Sequence, residues 1–136
     1  MLLVDTGPLV AAADRDDPDH LACRDLLEGD EGPLVTSALV IAEAAYLVDR
    51  QLGPVAEAAL FASVASGDLR VEDLGRSDWE RIAELVGDYA DMRLGGADAS
   101  LVALAERLGA TRLATLDHRH FRVVRPRHAQ AFELLP

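Results

Sequence analysis

The sequence predicts an α/β fold built on a mainly parallel sheet, and three observations carry that reading. Short strand-like segments alternate with stretches of helical length, the pattern of β–α–β units. The strand candidate Leu2–Val4 is an apolar run rather than a polar–apolar alternation, as expected of a strand buried on both faces, and Leu34–Thr36 is a second short strand. Helix-start chemistry follows each at once. Asp5 or Thr6 can cap a helix whose first position suits Pro8, and Ser37 is expected to cap another.

Taken in order, the first helix continues through Leu9–Ala13. Asp14-Arg15-Asp16-Asp17-Pro18 reads as a turn, with Pro18 opening a second helix to about Leu27. Gly29–Pro33 is a loop before the Leu34–Thr36 strand. The helix capped by Ser37 runs to about Gln51, where Gly53-Pro54 ends it. Val55–Ala65 is an alanine-rich helix closed by Ser66-Gly67, and Leu69–Leu74 is a strand candidate centred on Val71. Ser77 is expected to cap a helix from Asp78 to about Ala90, with Trp79, Ile82, Ala83, Val86 and Tyr89 as its inner stripe. Gly95-Gly96 breaks the chain before a helix over Ala97–Leu108, which Gly109 terminates. Arg112–Leu116 is a strand running into Asp117, and Phe121–Val124 and Phe132–Leu135 are shorter extended candidates.

The chain has 136 residues, half of them hydrophobic, which suits one domain over residues 1–136 with one core. No apolar run approaches the ~20 residues of a membrane span, and Asp5 and Pro8 interrupt any signal-peptide pattern. Cys23 is the single cysteine, which fits a reducing, cytoplasmic setting. The net charge is −11, adverse to nonspecific nucleic-acid binding, but it is unevenly spread. Residues 1–111 hold 8 arginines against 22 acids, whereas residues 112–136 hold 5 arginines against 2 acids. There is no lysine, which removes every mechanism that needs a catalytic one.

Four acids occupy places that solvation alone does not explain. Asp5 and Asp117 each follow an apolar strand. Glu43 falls at the spacing Val40, Glu43, Ala44, Leu47, so it interrupts an apolar stripe. Asp98 opens a helix whose inner face is Leu101, Leu104, Ala105 and Leu108. Each also has a plainer explanation: an N-cap for Asp5, a helix-dipole partner for Asp98, a snorkelling side chain for Glu43, a turn start for Asp117. Strand ends and first helical turns line the carboxyl edge of a parallel sheet, however, and that edge is where open α/β sheets bind ligands. Four carboxylates converging there would repel one another and take up protons unless a cation joined them. Oxygen ligands favour Mg²⁺ or Mn²⁺, and the sequence has no cysteine cluster or paired-histidine helix for zinc. Such a site suits phosphodiester hydrolysis.

At this point the residues resemble a known family. Val4-Asp5-Thr6, Glu43, Gly96-Ala97-Asp98-Ala99 and Thr115-Leu116-Asp117-His118-Arg119-His120-Phe121 resemble the PIN-domain ribonucleases, and the whole chain is similar to the VapC toxins of type II toxin–antitoxin pairs. The resemblance implies a three-layer α/β/α fold with a five-stranded, mainly parallel sheet. It implies a Mg²⁺- or Mn²⁺-dependent endoribonuclease whose metal is held by Asp5, Asp98 and Asp117. Glu43 would be a fourth acid that binds a second ion or orients water. Thr6 and Thr115 would hydrogen-bond these carboxylates. It also implies an RNA substrate such as transfer RNA or a ribosomal RNA stem-loop, a VapB-type antitoxin and a homodimer.

Other residues admit two readings. Arg112, Arg119, Arg122, Arg125 and Arg127 fit an RNA-backbone rim or an ordinary solvated face. His118 and His120 fit RNA contacts or surface positions of a turn; Trp79 and Tyr89 fit core packing. Leu60, Phe61 and Val64 fit a dimer or antitoxin groove as well as internal core. Competing functions are a noncatalytic or regulatory RNA-binding module on the same fold and a phosphotransfer domain of receiver or dehalogenase type. The latter lacks its lysine, and Gly7 stands where the dehalogenase pattern needs a second acid.

Overall fold

A computed structural model describes all 136 residues. Its centre is β1 (Leu2–Val4), every residue of which is buried. Around it lie β2 (Leu34–Ser37), β3 (Leu69–Glu72), β4 (Arg112–Ala114) and β5 (Glu133–Leu135), in the order β3-β2-β1-β4-β5. Every neighbouring pair is parallel, with Leu3 opposite Val35 on one side and Leu113 on the other. The chain builds outward from β1 to β3 and then crosses back to β4. The strand order therefore reverses between β1 and β4, which opens a crevice at their carboxyl ends.

Helices α1 (Thr6–Ala13), α2 (His20–Gly29), α3 (Ala38–Leu52) and α4 (Pro54–Ser66) carry the outward crossings, and α5 (Arg76–Asp88) and α6 (Gly96–Leu108) the return. Right-handed crossovers put the first four on one face and α5 and α6 on the other, giving the three-layer α/β/α arrangement expected. A short helix, α7 (His118–Val123), links β4 to β5. The core is a single cluster of 24 buried residues, and α6 is buried continuously from Ala99 to Ala105. No helix is long and apolar enough to cross a membrane.

Several elements depart from the sequence expectation. The second helix begins at His20 rather than Pro18, because Asp14 and Asp17 each accept a backbone N–H two residues on, at 3.0 and 2.8 Å, and hold the segment in turns. Phe121–Val124 is not extended. Asp117 caps a helix there, and Phe121 packs edge-to-face on Phe132 at 6.2 Å. Ser77 is not a cap either: the helix starts at Arg76, and Asp78 reaches back to the Gly75 N–H at 2.9 Å. The inner stripe of α5 is consequently Asp78, Ile82 and Leu85, while Trp79 is 49% exposed and Val86 also faces out. Trp79 is therefore not core.

Leu113 is 1% exposed in a central strand, whereas Val55 is 84% exposed at the start of α4. Leu113→Ala should cost about 3 kcal/mol in urea unfolding, and Val55→Ala should change stability by less than about 0.5 kcal/mol. Equal losses at the two sites would contradict this assignment of the core.

Candidate active site

Asp5 is the residue at which β1 becomes α1. Its backbone N–H continues the ladder to the Ala114 carbonyl at 2.9 Å, and its extended backbone makes it the N-cap of α1. Both carboxylate oxygens are committed: Oδ1 accepts the Thr6 N–H at 2.7 Å, and Oδ2 accepts the Thr115 hydroxyl at 2.8 Å. The same Thr115 oxygen accepts the Asp117 N–H at 3.0 Å. One buried hydroxyl thus ties the end of β1 to the turn after β4. Gly7 lets these two segments approach closely, since a Cβ there would lie 3.2 Å from Leu116 Cβ.

Asp98 lies in the first turn of α6 and is partly buried. Its position is fixed by a buried hydroxyl pair. Ser37 Oγ, which caps α3 through the Val40 N–H at 3.2 Å, lies 2.6 Å from Ser100 Oγ. Ser100 donates its own proton to the Ala97 carbonyl at 2.6 Å, so Ser37 is the donor of the pair. This hydrogen bond brings the amino ends of α3 and α6 together, and with them Glu43 and Asp98.

Glu43 stands differently from its sequence reading. The buried stripe of α3 is Val40, Ala44, Ala45 and Val48, and Glu43 is exposed beside it. Its carboxylate still turns to the cleft, where Oε2 accepts the Thr6 hydroxyl at 3.0 Å. Asp117 is also exposed, at the start of α7.

The four acids therefore share one cleft of about 560 Å³, lined also by Thr6, Gly7, Arg93, Gly95, Leu116 and His120. Burial, then the neighbouring Asp98 charge, pushes Asp5 up to about 6, against the hydrogen bonds from Thr115 and Thr6 that favour its charged form. Burial raises Asp98 as well, with Asp117 and Glu43 adding to it and His120 opposing.

Two residues that sequence reasoning does not assign to the site, His120 and Arg93, also line it. His120 Nδ1 is 3.0 Å from Asp98 Oδ2 and 3.0 Å from Asp117 Oδ2, so the ring bridges the two acids rather than sitting on the turn surface. A signal for it exists in the sequence: it lies three residues after Asp117, one helical turn away. Ligand atoms of Asp98, Asp117 and His120 all fall within 4.8 Å of one another. The arginine cluster, by contrast, divides. Arg112 starts β4 at the opposite edge of the sheet, paired to Asp30 at 2.8 Å, and Arg127 pairs with Glu84 at 2.8 Å. Neither belongs to a rim around the acids.

A family model for the PIN domain matches residues 2–126, and the chain belongs to that family. Within it, the chain is similar to Ribonuclease VapC26 of Mycobacterium tuberculosis (strain ATCC 25618 / H37Rv), with 36% identity over 135 residues, 99% of this chain and 100% of that one. Among solved structures, Mycobacterium tuberculosis VapC20, described as a sarcin–ricin loop cleaving toxin, matches the fold. Its TM-score is 0.82 at 24% identity, covering 88% of this chain and 92% of that one.

The raised proton affinity of Asp5 makes stability depend on pH with a definite sign. Its carboxyl holds a proton more tightly folded, at about 6, than at the ordinary 3.8. That contribution to stability is complete below 3.8 and is lost as pH rises through about 6. In metal-free buffer, wild type should therefore gain on the order of 3 kcal/mol relative to Asp5→Asn between pH 7 and pH 4 in urea unfolding. Asparagine keeps the cap, so parallel pH profiles for the two proteins would refute the strained carboxylate.

Proposed function

We propose that residues 1–136 form one PIN domain acting as a divalent-metal-dependent endoribonuclease, the toxin of a type II toxin–antitoxin pair. The endoribonuclease class follows from the family match and from full-length likeness to a VapC ribonuclease. The observation that carries the metal dependence is the clustering of four carboxylates in one cleft, two of them raised by burial and mutual repulsion. A bound cation removes that conflict. The donors are hard oxygens with one imidazole and no thiolate, which suits Mg²⁺, with Mn²⁺ as the alternative.

In this reading Asp5, Asp98 and Asp117 hold the ion, and Glu43 holds a second ion or orients the attacking water. When bound, the metal supplies positive charge for the phosphate and acidity for that water. The chain's own residues hold the acids ready for it. Thr115 and the Thr6 N–H fix both oxygens of Asp5, and the Thr6 hydroxyl fixes Glu43. His120 holds Asp98 and Asp117 at a common distance. Arg119 and Arg122 on α7 are exposed and pair with no acid, so they remain available for phosphates outside the cleft. The substrate is a structured RNA, a transfer RNA or ribosomal RNA stem-loop, cut in the cytoplasm. A VapB-type antitoxin and a second copy of the chain are the protein partners.

Cut sites mapped on total cellular RNA after induction test the reading, with Asp98→Asn as control. Wild type should give discrete Mg²⁺-dependent cuts. The variant should give none, a loss of at least about 100-fold, while its circular dichroism stays native. A variant that cleaves like wild type would remove Asp98 from the machinery. Replacing Arg119 and Arg122 with Ala should flatten the salt dependence of RNA binding by about 0.7 in log–log slope for each phosphate released from its arginine; an unchanged slope would reject the outer rim.

A further inference from the structure

We infer that Arg93 grips a phosphate of the RNA strand beside the acid cluster and is a substrate-binding residue of this cleft. The inference rests on the nuclease reading and adds a residue to it.

The cleft presents a problem to its own substrate. Four carboxylates face an incoming phosphodiester, which is itself an anion. Of the ten residues lining the cleft, Arg93 alone carries a permanent positive charge. It is also unpaired. Seven arginines of the chain have a carboxylate partner within 4.0 Å; Arg93, like the other five, has none, although four acids line its own cleft. Its side chain is exposed and makes no hydrogen bond with the protein. A guanidinium left free beside four carboxylates presents its planar fork to a ligand, and that fork matches two phosphate oxygens.

The backbone supplies an independent observation. Arg93 has φ 54° and ψ 50°, the left-handed region, and is the only non-glycine residue in the chain with positive φ. Glycine would occupy that conformation without strain, and glycines stand at positions 95 and 96. The conformation is pinned on both sides. The Arg93 N–H donates to the Ala90 carbonyl at 3.1 Å, and Leu94 is buried at 2% exposure with its N–H on the Tyr89 carbonyl at 3.4 Å. The chain therefore holds an arginine where its backbone favours glycine, at the mouth of the acidic cleft. A strained residue at a cleft is a pointer to use of its side chain.

The test compares wild type, Arg93→Gly and Arg93→Lys on an RNA oligonucleotide spanning a cut site mapped with the wild-type protein. Arg93→Gly should melt at or above the wild-type temperature, because the strain is relieved. Its KM should rise roughly tenfold, the effect of removing one charge-assisted hydrogen-bonded phosphate. The log–log salt slope of kcat/KM should fall by about 0.7, as for one phosphate fewer neutralised. Arg93→Lys should recover part of the KM and the full salt slope, since the charge returns without the fork. An Arg93→Gly variant with wild-type KM and slope overturns the inference and leaves the nuclease reading standing. So does a lowered melting temperature with equal loss of activity in both variants, which would make Arg93 structural. A wild-type protein that yields no cut site overturns the nuclease reading and this inference with it.

Discussion

The interaction on which the arrangement depends is the buried hydroxyl of Thr115, shared between Asp5 and the Asp117 N–H. It lies where the strand order reverses, between β1 and β4. Asp5 is only 5% exposed, an unfavourable place for a charge. Its two oxygens are satisfied by a helix N–H and this hydroxyl, yet burial and Asp98 still raise its proton affinity. The fold therefore holds a carboxylate in a site that disfavours its charged form. This is the condition under which binding a cation releases free energy, because the ion removes a repulsion the apo fold must otherwise tolerate.

The other three acids reach the same cleft by separate means. Asp98 and Glu43 are brought there by the joint between the amino ends of α3 and α6, where Ser37 and Ser100 meet at 2.6 Å. Asp117 arrives by capping α7, which also turns His120 inward against Asp98. The site is thus placed by rigid elements and buried hydroxyls, and its two exposed acids, Glu43 and Asp117, are held by the Thr6 hydroxyl and by His120.

Much of this is legible in the residues. The buried first strand, the cap at Asp5 and the glycine break before Asp98 are local signals, and the parallel sheet, its layers and the family follow from them. What is not legible depends on competition between local options. Asp14 and Asp17 stabilise turns strongly enough to delay α2 past a proline that reads as a helix start. Asp78 displaces Ser77 in defining the start of α5, and it occupies the buried stripe with Ile82 and Leu85 while Trp79 is left exposed. Arg112 is near Asp117 in sequence, but a strand has two ends and the sheet puts them on opposite edges. His120 carries little weight while Phe121–Val124 reads as extended; in a helix, position 120 returns beneath its own cap. The left-handed backbone at Arg93 has no sequence signature at all, since arginine is not a residue that advertises positive φ.

On the proposed reading, the cleft binds a divalent ion because the ion relieves buried, mutually repelling carboxylates. The most direct measurement is calorimetry of Mg²⁺ binding at pH 6 in two buffers of different ionisation enthalpy, which reads the protons released per ion bound. Asp5 titrates at about 6, so binding should release about half a proton from this group at that pH. The same titration of Asp5→Asn, which loses a proposed ligand together with that proton, should show weaker binding with that release gone. Mg²⁺ that fails to bind, or that binds without releasing a proton, would contradict the account.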